Sequence, residues 1–444
     1  MTEPAELPEH EPHPVRLVLD DDLKRNRWTV LFRLILAIPH LIWYVLWSIL
    51  VLIVAVLNWI ATLVAGTPPR AFHNLLCAYT RYSAHLSAYL GLVVDPYPGF
   101  VGDAEEYELD IQLPADPQPQ PRLTTFFRLV LALPAILLAA ALGGSFSVGS
   151  VFLNRGHGRT SRGSDGSGGG GLLTFVCAIL GWFAALATGR MPRGLRDAGA
   201  YGIGYGAQMR AYLFLITDRY PNSDPTALLD SLQRPPQHPV HLVGDPHDLR
   251  RSRLTVFFRL PLFIPHYIWL ELWTVAALIL GVINWFATLI AGRPPRAFHR
   301  FFAAYVRYQL HVYAFMTLAA NPFPGFTGAA GTYPLDLVVP AEPQPQHRLK
   351  TFFRLVLAIP AFLVDIVLVY CALVAAVFTW FVALLRAEAP WGLRNLTAYA
   401  LRYQAQTNAY LYLLTDRYPH ASPLEGEEPP APDPEPFEPA PTAA

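Results

Sequence analysis

The chain has 444 residues, equal numbers of acidic and basic side chains, 53% hydrophobic residues and only 15% charged ones. Soluble domains carry roughly a quarter charged residues, and a neutral chain offers no electrostatic footprint for nucleic acid. Apolar runs at 41–65 and 268–291 exceed the ~18 residues that read as a membrane span, so an integral membrane protein is expected.

Residues 1–14 form an acidic, Pro-rich tail without a basic-then-apolar leader, so helix insertion itself is expected to provide targeting. One unit then recurs four times. Copy 1 (15–106) opens on Val15-Arg-Leu-Val-Leu, passes Leu31-Phe-Arg-Leu-Ile-Leu-Ala-Ile-Pro-His40, Asn58-Trp59 and Gly66-Thr-Pro-Pro-Arg-Ala-Phe-His73, and closes near Asp95-Pro-Tyr-Pro98. Copy 2 (107–225) holds Thr125-Phe-Phe-Arg-Leu-Val-Leu-Ala-Leu-Pro134 and Thr217-Asp-Arg-Tyr-Pro221, with a Gly/Ser insert at 143–171. A linker at 226–239 precedes copy 3 (240–332), then come copy 4 (333–419) and a Pro/Glu-rich tail (420–444) expected to be disordered. Pro39 to Pro265 and Pro134 to Pro360 are both shifts of 226, whereas Trp182 to Trp380 is a shift of 198; the difference of 28 is the insert. The copies thus alternate as A-B-A-B.

The insert splits the apolar segment of copy 2 into 126–142 and 172–188, and its run Asn154-Arg-Gly-His-Gly-Arg cannot sit in hydrocarbon. Carried over by alignment, the break falls near 47–49 in copy 1 and 273–275 in copy 3. An unbroken helix over 28–65 would be about 57 Å long, too long for a core of about 30 Å. The sequence therefore predicts a transmembrane hairpin in every copy, eight spans in all. Basic residues before each hairpin (Lys24, Arg25, Arg27; Arg122; Arg250, Arg251, Arg253; Arg348, Lys350) and after it (Arg70; Arg190, Arg193; Arg293, Arg296; Arg386) place both ends in the cytoplasm. Arg155, Arg159 and Arg162 of the insert would then lie outside, against the rule. The expected fold class is mainly α: a polytopic membrane protein of four tandem units, each a short strand, a helical hairpin and an amphipathic helix, with pseudo-two-fold symmetry. The strands would gather in a small cytoplasmic β-module. The third helix of copy 1, over 71–93, sets Phe72, Leu75, Leu76, Tyr79 and Tyr82 against Asn74, Arg81 and His85. It is expected to lie flat at the interface, the other reading being a polar-faced span along a cavity.

Candidate ligand or lipid contacts follow from position. Arg33, Arg128, Arg259 and Arg354 recur in the first turns of helix one, suited to lipid phosphate or an anionic ligand, or to interfacial snorkelling. Pro39, Pro134, Pro265 and Pro360 recur mid-helix and should kink it. His40, His73 and His85 recur as His266, His299 and His311 in the odd copies only, and interfacial hydrogen bonding explains them better than a metal site. Glu271 and Asp365 are carboxylates inside apolar helices, by default functional candidates. Asn58 and Asn284 suit interhelical hydrogen bonds. Cys77, Cys177 and Cys371 sit in apolar helical contexts and read as inert. No catalytic motif is present, no enzyme activity is expected, and no metal or cofactor is called for.

The combination Phe-Phe-Arg-Leu-x-Leu-Ala-Ile-Pro-His, Gly-Arg-x-Pro-Arg and Asn408-Ala-Tyr-Leu-Tyr-Leu-Leu-Thr-Asp-Arg-Tyr-Pro419 resembles a bacterial membrane family catalogued as domain of unknown function 4389. The resemblance covers nearly all of the chain outside the tails and the insert, as four units. Asp95-Pro-Tyr-Pro98 and Asn321-Pro-Phe-Pro324 depart from the family's Thr-Asp-Arg-Tyr-Pro, which restricts any role of that Asp-Arg pair to copies 2 and 4. It implies a bacterial inner-membrane location and brings no known activity. The leading expectation is a non-enzymatic scaffold or partner-binding subunit in the lipid bilayer, with a membrane or cytoplasmic protein as partner and both termini cytoplasmic. The alternative is a transporter, channel or lipid-binding protein using a cavity between the halves.

Overall fold

The computed structural model describes residues 12–104, 107–143, 171–244 and 248–426. Most of the expected N-terminal tail, the insert and the end of the C-terminal tail lie outside these residues. In copy 1, β1 (Arg16–Leu19) leads to α1 (Arg27–Leu36), α2 (Ile38–Ala65) and α3 (Arg70–Leu90). Copy 2 has β2 (Leu109–Gln112), α4 (Arg122–Phe126), α5 (Arg128–Leu142), α6 (Leu172–Thr188) and α7 (Arg193–Leu213), followed by a short α8 (Pro225–Leu228). Copy 3 has β3 (His241–Gly244), α9 (Arg253–Phe257), α10 (Arg259–Ala291) and α11 (Arg296–Met316). Copy 4 has β4 (Leu335–Val338), α12 (Arg348–Phe352), α13 (Arg354–Arg386) and α14 (Trp391–Leu411).

The hairpins are not formed. α10 and α13 each run unbroken for 33 residues through the expected turn, and α2 for 28. Nothing in 47–49 or 273–275 breaks a helix, since those stretches hold neither Gly nor Pro. In copy 2 the backbones of Gly143 and Gly171 meet: a Cβ on Gly171 would fall 1.8 Å from the Gly143 Cα. Gly143 ends α5 in the left-handed region at φ 111°, which only glycine adopts at low cost. Both pieces pack along α7 as α13 packs along α14. Their outer ends also match α13: Arg128 lies over Tyr212 as Arg354 lies over Tyr410, and Trp182 bonds Val30 O as Trp380 bonds Val256 O. The insert therefore leaves the middle of one long helix, not the turn of a hairpin. Pro134, Pro265 and Pro360 lie inside long helices, whereas Pro39 starts α2 after a break at Ala37.

Within each half the two copies exchange ends. Arg25 N bonds Gly189 O and Gln120 N bonds Gly66 O; Arg251 N bonds Ala387 O and Gln346 N bonds Gly292 O. The start of one long helix thus meets the end of its partner, an antiparallel pair in each half. Indole N–H groups reinforce the exchange, Trp59 donating to Thr125 O and Trp285 to Thr351 O. α5 and α6 pack on α13 and join the halves.

The third helices do not lie free at an interface. α7 is buried over nearly its whole length and α14 over much of it, and the pairs α3–α7 and α11–α14 pack together as an inner layer behind the long helices. Glycines let α7 approach closely: a Cβ on Gly202 would meet Leu142 O at 2.5 Å. Each third helix ends on a leucine in the left-handed region, Leu92, Leu215, Leu318 and Leu413, at φ 58–64°, a strain of about 1 kcal/mol or more apiece.

The β-module is also corrected. β1 pairs antiparallel with β2 and β3 with β4, giving two separate two-stranded sheets, one per half. They form a third layer against α3, α7, α11 and α14. The start of the expected C-terminal tail is ordered, with Ala421, Ser422 and Leu424 buried. The expected linker contributes buried Leu228 and Leu229.

Candidate functional site

The four repeated arginines are not presented to lipid. Arg33, Arg128, Arg259 and Arg354 are all about 2% exposed or less, and each guanidinium is spent on the C-terminal end of the third helix in its own copy. Arg33 donates to Tyr89 O (2.6 Å), Val94 O (3.1 Å) and the Asp95 carboxylate (2.6 Å), with its guanidinium 4.4 Å from the Tyr89 ring centre. Arg259 binds Phe315 O and Ala320 O and stacks over Phe315 at 4.1 Å. In the even copies Arg128 and Arg354 bond the Gln120 and Gln346 side chains and lie over Tyr212 and Tyr410. A helix C-terminus carries unpaired carbonyls and a partial negative charge, and a planar cation that also stacks on an aromatic ring answers both. In odd copies a second buried arginine joins: Arg25 reaches Leu92 O and Val93 O, and Arg251 reaches Leu318 O and Ala319 O. These side chains hold the strained leucine turns closed. The Asp95-Pro motif puts Pro96 where Thr-Asp-Arg-Tyr-Pro has its arginine but keeps the aspartate and its helix-one partner: Asp95 pairs with Arg33 at 2.6 Å, as Asp416 does with Arg354 at 3.4 Å.

His40 and His266 are buried and boxed by aromatics rather than open to a ligand. His40 Nδ1 bonds Tyr82 OH at 3.0 Å and its ring stacks on Phe100; His266 repeats this with Tyr308 OH at 2.9 Å and Phe326. His73 and His299 bond Pro114 O and Pro340 O. His85 and Arg81 face Asp110 of β2, and His311 and Arg307 face Asp336 of β4. Burial works against the ionised Asp336, but hydrogen bonds from His311 and from the Gly331 and Leu337 amides outweigh it and hold the carboxyl below its usual range. The polar stripe Arg81/His85 of α3, expected to face solvent, is therefore a docking face for a strand. The missed partners, Asp110 and Asp336, stand at matching places in alternating stretches, a signal the sequence does carry. Asn58 and Asn284 bond Phe214 O and Tyr412 O between helices, as expected.

Glu271 is exposed on α10 and Asp365 half-buried on α13. Burial raises the Tyr313 phenol on α11, a hydrogen bond with Gln309 opposes this, and both carboxylates add to the rise. The halves meet through Ser422 Oγ to Asp197 (2.7 Å), Trp391 Nε1 to Asp224 (2.8 Å) and Tyr201 against Tyr399. On the sheet side, an open groove of about 1210 Å³ runs between α3, β1 and β2 and is lined by Asp20, Asp22, Asp103, Glu108 and Asp110, with Arg81 as the counter-charge. A smaller cleft lies beside His238, Arg402 and His420. Neither is lined by Glu271, Asp365 or the boxed histidines.

The family model for a domain of unknown function, DUF4389, matches residues 27–102, 169–223, 253–327 and 348–422. The chain belongs to that family. The matches in copies 1, 3 and 4 begin at the Arg-bearing helix, the match in copy 2 begins only at α6, past Arg128, and all four end just past the left-handed leucine turn. In the three full matches a DUF4389 unit is the long helix, the third helix and the arginine staple between them. β1 precedes the first match, and β2, β3 and β4 fall between matches, as connections from one unit to the next. No curated protein and no solved structure matches. Among the described residues, three helices are long and apolar enough to cross a membrane: α2, α10 and α13.

Proposed function

We propose that the protein is a non-enzymatic scaffold embedded in the bacterial inner membrane, with its sheet layer and termini toward the cytoplasm. The observation that carries this reading is where the repeated polar side chains go. The arginine, tryptophan and asparagine side chains of the repeated motifs bond backbone or side chains of the same chain, and so hold units together. Meanwhile the long helices turn Leu, Ile, Val and Phe outward: only 22% of α2 and 17% of α10 is buried across their most apolar stretches. An apolar patch of that extent needs a lipid or protein cover. The acidic groove beside β1 and β2 is the polar surface left open for a protein partner of basic character.

A photo-crosslinker at Asp103 in membranes tests this. The expected outcome is one dominant adduct, lost in Asp20→Lys/Glu108→Lys chains that still fold. The opposing outcome is ion flux through proteoliposomes of the full chain that disappears in Glu271→Gln or Asp365→Asn. Such a flux would replace the scaffold with a transporter.

A further inference from the structure

We propose that the layer of long helices lies in the plane of a single leaflet and does not cross the bilayer; this rests on the membrane reading above and specifies its lipid partner. Four independent features point the same way.

The first is length. α10 and α13 are 33 residues each, about 50 Å at 1.5 Å per residue, against a hydrocarbon core of about 30 Å. A helix lying in the interface has no such limit.

The second is charge. Each long helix is preceded by an exposed arginine that caps the end of its antiparallel partner: Arg27 to Ala187 O, Arg122 to Val64 O, Arg253 to Leu385 O and Arg348 to Ile290 O, at 2.8–3.1 Å. Both ends of the layer are therefore basic. A crossing helix would put one basic end on each side of the membrane, against the positive-inside rule. A helix in the plane keeps both ends on one side, at the headgroups.

The third is the sheet layer. β2 and the segment after it run along α3: Pro114 sits at His73, and Asp110 sits at Arg81 and His85, midway down the helix. The groove there exposes Asp20, Asp22, Asp103 and Glu108. If α2 and α3 crossed a bilayer lengthwise, these carboxylates would stand at mid-depth in hydrocarbon. With the helices in the plane, the apolar layer faces lipid and the sheets face water.

The fourth is the insert. It leaves the helix between Gly143 and Gly171, after the 15 residues of α5 and before the 17 of α6. Its sequence carries Arg155, Arg159, Arg162 and Asp165. A crossing helix would release that segment at the bilayer centre; an in-plane helix can release it to water at any point along its length. Both pieces expose apolar residues, Leu129, Leu133 and Leu137 on one side of the junction and Phe175, Ile179 and Phe183 on the other, so neither half is an aqueous stalk.

Nitroxide labels on the full chain at Ile264, Val275, Val282 and Ile290 of α10, all exposed, decide the matter in phosphatidylethanolamine/phosphatidylglycerol vesicles. The native cysteines, all buried, are replaced by Ala, and circular dichroism with gel filtration confirms the fold. Relaxation by oxygen against a water-soluble nickel complex should place all four labels at one shallow depth, within about one helical turn, ~5 Å. Cysteines at Ser252 and Arg293, at opposite ends of α10, should react with an impermeant maleimide from the same side. A profile deepest at Val275 and shallow at Ile264 and Ile290 would overturn the proposal while leaving the protein in the membrane. Labels with no lipid contact at all would overturn the membrane reading as well.

Discussion

Replacing Arg33 by Met separates a structural staple from a lipid contact. The side chain is 2% exposed and supplies four hydrogen bonds, to Tyr89 O, Val94 O, Asp95 O and the Asp95 carboxylate, between 2.6 and 3.3 Å. Hydrogen bonds to a charged group contribute roughly 1.5–3 kcal/mol each, but they are not additive here. Asp95, about a quarter exposed, recovers water, whereas Tyr89 O and Val94 O lose a donor at a helix end that holds Leu92 at φ 58°. Leaving a buried acceptor without its donor costs roughly 1–3 kcal/mol, so with two carbonyls orphaned Arg33→Met is expected to cost about 2–4 kcal/mol. Arg33→Lys keeps the charge but not the fork, so about half of the loss should remain. Denaturant titration of the full chain in mild detergent, followed by tryptophan fluorescence, measures both. A Met variant within about 1 kcal/mol of the parent that instead loses its dependence on anionic lipid would refute the staple and restore the lipid-phosphate reading.

Three further outcomes are expected. Removing residues 143–170 joins Leu142 to Gly171 in the register of α13 and should leave thermal stability equal or higher, a midpoint drop of more than a few degrees counting against a continuous helix. Gly202→Ala should cost about 1–3 kcal/mol in the intact chain, because its Cβ would stand 2.5 Å from both Leu142 O and Thr174 Oγ1; the same change should be nearly neutral once the insert is gone and Thr174→Ala is added, as Ala400 and Ala372 occupy the matching places in copy 4, and additivity of the changes would deny the coupling. His238 is held neutral when folded, burial pushing it down to about 4 from 6.5. An unfolded chain takes up a proton below pH 6.5, so stability should fall as pH drops from 6.5 toward 4 and be flat with respect to this group above 6.5. His238→Gln should flatten part of that slope, and an unchanged slope would remove His238 from the account.

Repetition was legible because each unit repeats the contacts it needs, and the register survives the insert. Reading contact from repetition failed where the same residue type serves two physical ends. A buried arginine and a snorkelling arginine look alike at Phe-Phe-Arg; the distinguishing fact is the tyrosine or phenylalanine it stacks on, Tyr89, Tyr212, Phe315 and Tyr410, more than 50 residues downstream. The amphipathicity of α3 was legible, but a polar stripe does not announce whether water or a strand covers it, and only Asp110 and Asp336 settle that. The left-handed leucines carry no signal, since leucine is a poor choice there on backbone grounds alone.

The hairpin expectation failed for a more instructive reason. It took the insert as a turn because a polar loop cannot emerge inside a bilayer, and because a helix over 28–65 is too long to cross one. Both statements are sound physics; what they exclude is the combination of a continuous helix with a crossing orientation. A hairpin keeps the crossing and gives up the helix. The backbone contact of Gly143 with Gly171 and the matching end contacts of α13 keep the helix. With the helix retained, the same two premises bear on the crossing instead, and so do the basic residues at both ends, which had been assigned to a hairpin's common side.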